Sequence, residues 1–181
     1  MNLNNVKLWT ALITPMTDSG EVDYPTLDQL VDKQDNVGNG ILVLGSTGEA
    51  LNLNANEKKN IFEYISRKNL TVPLMAGVGG INLSETINYL SFLETLNYDC
   101  YLMVTPLYAK PGPAGQYQWF KTLMDAVTRP VMLYNIPGRT GIPLAFDALL
   151  KLKDHSNFWS IKEASGSPEE FKKYVDVVSP N

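Results

Sequence analysis

The chain has one cysteine, Cys100, and one histidine, His155. A single cysteine excludes any disulfide within the chain. Set in an apolar run, Cys100 reads as a buried small hydrophobe. His155 falls in the polar segment 153–157, which leaves almost no material for a histidine-based triad or a zinc site. No apolar run approaches the ~18 residues that a membrane-spanning helix needs. Cationic residues are not in excess: 15 Lys and Arg against 19 Asp and Glu give a formal net charge of −4. That balance gives no electrostatic reason to expect nucleic acid or an anionic membrane as a partner. The segment from Met1 to Asn5 has neither a basic n-region nor an apolar h-region, so the expected location is the cytoplasm.

What is present is an ordinary globular composition, 44% hydrophobic and 19% charged over 181 residues, long enough for a sizeable core. One alternation repeats along it. Apolar, β-favouring runs at 9–15, 41–44, 73–78, 99–104, 130–135 and from 158 read as strands. The second run is apolar throughout, as expected of a parallel strand covered on both faces. Between the strands lie segments of helical spacing. The first, opened by Asp23 or Thr26 and ended by Gly38 and Gly40, turns Leu27, Leu30 and Val31 inward. The second opens on an Asn54/Glu57 capping box and presents Ile61, Tyr64 and Ile65. The third starts near Asn82, with Glu85 three residues on, and carries Ile87, Leu90 and Leu93.

A Pro/Gly-rich loop, 105–115, leads into a helix with Tyr117, Phe120, Leu123, Met124 and Val127 on one face. The next helix offers Phe146, Leu149 and Leu150. The last has Ser167 as N-cap, Pro168 at its first position, Glu170 as capping acid, and a stripe of Phe171, Tyr174, Val175 and Val178. Six strand–helix units in succession mean an α/β protein with a parallel sheet, either doubly wound or a (β/α)8 barrel. The nucleotide-fold signal is weak. Gly77, Gly79 and Gly80 follow a strand, yet the full glycine fingerprint and its acidic partner are missing, and a structural turn accounts for them better.

The chemically suggestive residue is Lys162, inside the sixth strand. A lysine in a buried run loses water around its charge, and desolvation lowers its pKa toward the neutral amine that attacks carbonyls. The alternative is a strand-end lysine whose head snorkels to solvent. In a barrel, every loop after a strand lies on the catalytic face. There fall Gly45-Ser46-Thr47-Gly48-Glu49, Tyr108, Tyr134 at the end of strand five, and Arg139 just after it. Taken singly, each has a plain structural account: a tight turn, a surface aromatic, a core tyrosine, a solvated arginine. Four such placements on one face argue jointly for a site.

Three motifs then carry a resemblance. Gly45-Ser46-Thr47-Gly48-Glu49, Tyr134-Asn135-Ile136-Pro137-Gly138-Arg139-Thr140-Gly141 and Ile161-Lys162-Glu163-Ala164-Ser165-Gly166 resemble signatures of the pyruvate-dependent class I aldolases. That superfamily contains dihydrodipicolinate synthase and N-acetylneuraminate lyase. Gly-Arg-Thr-Gly around Arg139 is most similar to the dihydrodipicolinate synthase branch; Ser46 is the one feature leaning to the sialic acid lyase.

The resemblance implies a (β/α)8 barrel, of which 1–181 would be the N-terminal part with strands seven and eight absent, since such barrels take about 250 residues. Aggregation or partial folding is therefore the expectation for the 181-residue chain expressed alone. The implied activity is condensation of pyruvate with aspartate 4-semialdehyde to 4-hydroxy-tetrahydrodipicolinate, in diaminopimelate and lysine biosynthesis, with no metal or other cofactor.

In this resemblance Lys162 forms the Schiff base and Tyr134 shuttles protons. Thr47 and Tyr108 complete the hydroxyl relay, with Tyr108 reaching into a neighbouring subunit. The turn at Ser46 and Thr47 holds the pyruvate carboxylate, while Arg139, beside Gly138, takes that of the semialdehyde. A homotetramer, a dimer of dimers, is implied. Ala55, Lys58, Ile81 and Leu107 stand where lysine-inhibited relatives carry polar ligands or their neighbours, so weak feedback by lysine is expected. The alternatives are another pyruvate aldolase, such as the sialic acid lyase or a keto-deoxy sugar acid aldolase, and a non-catalytic carboxylate-binding protein on the same scaffold.

Overall fold

The computed structural model describes residues 3–178, which fall into two compact units. The first comprises residues up to Gly77 together with Thr95–Cys100; the second comprises Val78–Glu94 and the rest of the chain from Tyr101.

In the first unit, β1 (Trp9–Ala11), β2 (Gly40–Val43) and β3 (Leu74–Val78) pair in parallel and in sequence order. Every residue of β2 and β3 is buried, the burial that parallel strands with both faces covered require. Helix α1 (Tyr24–Val37) starts where the Asp23 carboxylate accepts the Thr26 N–H, and it stops at Gly38, whose φ of 77° suits a residue without a Cβ. Helix α2 (Ala55–Ser66) opens on the expected capping box: Asn54 accepts from Glu57 N–H, and Glu57 accepts in return from Asn54 N–H. These caps set the helices so that Leu27, Val31, Ile61, Phe62 and Ile65 reach the core. Each such side chain contributes about 1.5–3 kcal/mol on burial.

The first strand is shorter than its apolar run. Beyond Leu12, whose N–H still donates to the Leu42 carbonyl of β2, the chain leaves the sheet: Ile13 is 52% exposed, and the Thr14 hydroxyl donates to the Gly48 carbonyl at 2.7 Å. A polar anchor on the next turn thus overrides the β-propensity of the segment.

The second unit holds α3 (Leu83–Leu93), β4 (Cys100–Val104) from Tyr101 onward, α4 (Pro113–Asp125), β5 (Val131–Asn135), α5 (Pro137–Thr140), α6 (Phe146–Leu152), β6 (Phe158–Glu163) and α7 (Pro168–Val178). Its strands are again parallel and consecutive. In both units, neighbours in the sheet are neighbours in sequence. A doubly wound sheet instead reverses its strand order, so the nucleotide-fold alternative falls.

Turns here are fixed by partly buried polar side chains. Arg129 donates to the Leu93 carbonyl at 3.0 Å and to the Tyr101 hydroxyl at 2.9 Å, and that hydroxyl donates in turn to Glu94. Cys100 is fully buried, as its apolar setting implied, and burial pushes its thiol pKa up. His155 is not loose in its linker: its Nε2 lies 3.0 Å from Asp125 Oδ1.

Three core expectations fail. Phe146, Leu150 and Phe171 are 39%, 41% and 56% exposed. Helix α6 has only seven residues; it buries Leu149 as expected, but with Ala148 and Leu152 in place of Phe146 and Leu150, which turn outward. Among the described residues of α7 only Tyr174 is buried, and it leaves Phe171 on the open face. No helix of the described residues is long and apolar enough to cross a membrane.

The tightest backbone approach is at Gly77, where an added Cβ would lie 2.3 Å from the Leu44 carbonyl oxygen and 2.9 Å from the Gly45 nitrogen. Both are backbone atoms and cannot swing aside. Gly77→Ala is therefore expected to destabilise by about 3 kcal/mol or more through overpacking. Denaturant melts of the full-length protein check this; an unchanged midpoint would contradict the contact.

Candidate active site

Lys162 and Tyr134 meet because of strand register. In the parallel pair of β5 and β6, Tyr134 lies directly opposite Lys162, and Asn135 opposite Glu163. Side chains alternate faces along a strand, so one pair occupies each face. The Lys162 ammonium stands over the Tyr134 ring, 4.5 Å from its centroid. Tyr134 is buried and Lys162 is half-buried. Burial holds the Lys162 pKa below the ordinary lysine value of 10.5. The ring face attracts the ammonium, though far more weakly than a paired carboxylate would. No carboxylate pairs with Lys162 among the described residues. Its neighbour Glu163 projects to the other face and binds elsewhere.

Asn135, 1% exposed, is the hub of that other face. Its amide nitrogen donates to Glu163 Oε2, and its oxygen accepts the Leu144 N–H at 2.8 Å. Glu163 Oε1 accepts the Ser165 N–H. The Leu144 carbonyl accepts from the Tyr174 hydroxyl, whose pKa burial, with Glu163 and Glu170 adding to it, pushes up to about 12. Gln116 continues the pattern: it donates to the carbonyls of Pro111 and Pro143 at 3.1 and 3.2 Å and accepts from Ala145 N–H at 2.8 Å. Two buried amides therefore tie together the loops that follow β4 and β5 and the end of β6.

Arg139 sits in α5, exposed, with no ion pair among the described residues. Its loop is held below it: the buried Thr140 hydroxyl bonds the Ile136 and Ile142 carbonyls at 3.0 and 2.7 Å. Gly138 is exposed beside it. Tyr108, in the loop after β4, is 89% exposed, and its backbone takes a left-handed φ of 65°. Lys110 is left-handed too, at 47°, and its side chain lies against Gly141.

Ser46 and Thr47 belong to the first unit, exposed on the turn after β2. The turn is tight, with Gly48 N–H bonding the Gly45 carbonyl at 3.1 Å. Leu44 and Glu49 bracket it with left-handed φ values of 53° each. Among the described residues the four non-glycine left-handed backbones all lie at these two turns. Such conformations cost about 1–3 kcal/mol each and gather where geometry serves function.

Asn135, Glu163 and Gln116 carried no role in the sequence reading. A signal existed for two of them. Gln116 interrupts the apolar stripe four residues before Phe120, and Glu163 lies in a strand beside a lysine. A polar residue at a core position implies a buried hydrogen bond.

A family model described as the Dihydrodipicolinate synthetase family matches residues 4–181. A 4-hydroxy-tetrahydrodipicolinate synthase of Francisella philomiragia subsp. philomiragia is 47% identical over 181 residues, covering 100% of this chain and 61% of the relative. Among solved structures, the chloride-inhibited dihydrodipicolinate synthase from Acinetobacter baumannii, complexed with pyruvate, matches with a TM-score of 0.89 at 36% identity. That match covers 94% of this chain and 60% of the other. A DHDPS from Cyanidioschyzon merolae with lysine bound matches at 0.90 and 34% identity, covering 97% and 61%. The chain thus spans about 60% of the length of these relatives. The fold is the (β/α)8 barrel, of which the chain supplies six strand–helix units.

A lowered pKa means that the neutral amine appears at lower pH than on a free lysine. With an amine-selective acylating reagent followed by mass spectrometry, modification of Lys162 is expected to reach half its plateau below pH 10.5. Lys173, whose pKa its bond to Glu170 raises, is expected to lag behind it as pH increases. Identical profiles for the two would refute the desolvated amine.

Proposed function

The chain belongs to the dihydrodipicolinate synthetase family, and from that premise we propose that it is the greater part of a Schiff-base enzyme condensing pyruvate with aspartate 4-semialdehyde. The observation that carries the reading is the half-buried amine of Lys162, unpaired with any carboxylate and set against Tyr134.

The chemistry follows from that amine. Its lone pair adds to the C2 carbonyl of pyruvate, and loss of water leaves an imine. The imine withdraws electrons from the adjacent methyl group, which gives up a proton and becomes an enamine. The enamine carbon attacks the aldehyde of the second substrate, forming the new C–C bond, and the imine is later released from the lysine. Each stage moves a proton, and Tyr134, whose ring lies under the reacting nitrogen, supplies the hydroxyl that carries it in our reading. Thr47 and Tyr108 complete this relay in our reading. The high exposure of Tyr108 suits a tyrosine shared with a neighbouring subunit, so the working form is a homo-oligomer.

The two carboxylates need separate seats. The exposed Ser46–Thr47 turn takes that of pyruvate. Arg139, exposed and without an ion pair of its own, offers a planar fork for that of the semialdehyde, with Gly138 leaving room beside it. A pyruvate aldolase acting on sugar acids has no need of that cation, which favours the synthase. No step calls for a metal.

Incubation of the full-length protein with pyruvate and borohydride is expected to add one reduced pyruvyl group at Lys162, absent in Lys162→Ala. Lack of an adduct on folded protein would remove the reading. Arg139→Ala is expected to raise KM for aspartate 4-semialdehyde about 10- to 100-fold, with pyruvate adduct formation unchanged. Equal loss toward both substrates would unseat Arg139 from its role. Lysine is expected to inhibit weakly, since Ile81 is exposed and apolar where a polar ligand would be needed; strong inhibition at low lysine concentration in a titration contradicts this.

A further inference from the structure

The pairing of β5 with β6 is irregular at its start. Val131 lies opposite Phe158, but Met132 lies opposite Ser160, so the register shifts by one residue between them. A one-residue slip turns every following side chain to the opposite face. Here it would turn Lys162 away from Tyr134. Something beyond the strand starts must therefore fix the alignment at the far end, where the chemistry is.

The Asn135–Glu163 pair stands at that end, one residue beyond Tyr134 and Lys162. Its hydrogen bonds fix one orientation of the Asn135 amide. The Asn135 oxygen is taken by Leu144 N–H, which turns its NH2 toward Glu163. The two Glu163 oxygens are taken by that NH2 and by Ser165 N–H. The Asn135 carbonyl also receives Ala164 N–H at 2.9 Å. The segments held are β5 with Tyr134, β6 with Lys162, and the chain leading away from Arg139.

We propose that Asn135 and Glu163 are positioning residues for the amine chemistry. From the face opposite Lys162 and Tyr134, their cross-strand hydrogen bond locks the register that sets Lys162 Nζ over the Tyr134 ring. Through Leu144 it also seats the Arg139 loop. The inference rests on the Schiff-base reading above.

Complementarity supplies the test. Asn135→Asp sets two carboxylates against each other, and Glu163→Gln leaves one amide oxygen to meet two N–H donors. The double variant restores every bond with roles exchanged: the new carboxylate accepts from Leu144 and from the new amide, whose oxygen accepts from Ser165.

In the full-length protein, each single variant is expected to slow borohydride-trapped pyruvate adduct formation at Lys162 about 10- to 100-fold, the effect of a misplaced reacting group. The pH at which that rate is half-maximal should shift as well. The double variant should return both rate and profile toward the parent. Asn135→Ser, which removes the bond without adding charge, replaces a single variant that does not fold, and it should be slowed likewise.

Folded variants with a lower melting temperature but parental rate and profile would overturn the proposal, as would a double variant no faster than the slower single. A parent protein that forms no adduct would instead bring down the Schiff-base reading, and this inference with it.

Discussion

The structure around the candidate site depends on keeping an amine half out of water without giving it a carboxylate. Glu163 follows Lys162 directly in sequence, and a salt bridge between them would hold the amine protonated. The two-residue period of a strand prevents it, because consecutive side chains project to opposite faces. On its own face Glu163 meets Asn135 and Ser165, which use both its oxygens. The same alternation that hides the carboxylate from Lys162 gives it work as a brace.

The loops around this pair are stiffened in a consistent way. Gln116, Asn135, Thr140 and Tyr174 are all buried, and each directs hydrogen bonds to backbone groups of the segments 111–116 and 136–145. Loops normally satisfy their backbone in water. Here buried side chains do it, which fixes where Arg139 and the chain near Tyr108 emerge while leaving those two side chains open to solvent. The left-handed backbone at Tyr108 and Lys110 is held against such a frame, and the one at Leu44 and Glu49 against Gly48 and Thr14.

Much of this was legible in the sequence. The caps at Asp23, Asn54 and Asn82 and the strand–helix alternation are local signals, and they lie where propensity and hydrogen-bonding chemistry put them. Lys162 and Tyr134 were legible as candidates, since a lysine and a tyrosine at strand ends break an apolar pattern. Their contact was not: register depends on pairing between residues 27 or 28 apart in sequence, and no local pattern reports the register shift between Val131 and Met132. The exposure of Phe146, Leu150 and Phe171 was also hidden, because a helical stripe states which residues share a face and not how much of that face is covered. The same gap hid Asn135. Its burial and its three segment contacts exist only once the loop to Leu144 has closed over it.

A second lysine shows why the placement of carboxylates decides the chemistry. Lys68 is also partly buried, and burial works to lower its pKa as it does for Lys162. At Lys68, however, Asp28 lies 2.7 Å away and Asp32 3.0 Å away, and their hydrogen bonds and charge carry the pKa above the ordinary value. Protonated at any physiological pH, that amine serves only to join α1 to the end of α2. Lys162 has the same functional group and is the more deeply buried of the two, with an aromatic face where Lys68 has two acids. A ring attracts a cation far less than a desolvated carboxylate does. Burial therefore decides the outcome at Lys162, and the amine is left able to give up its proton. Any substitution that brought an acid to the Tyr134 side of β6 would turn Lys162 into a lysine of the Lys68 kind, held protonated.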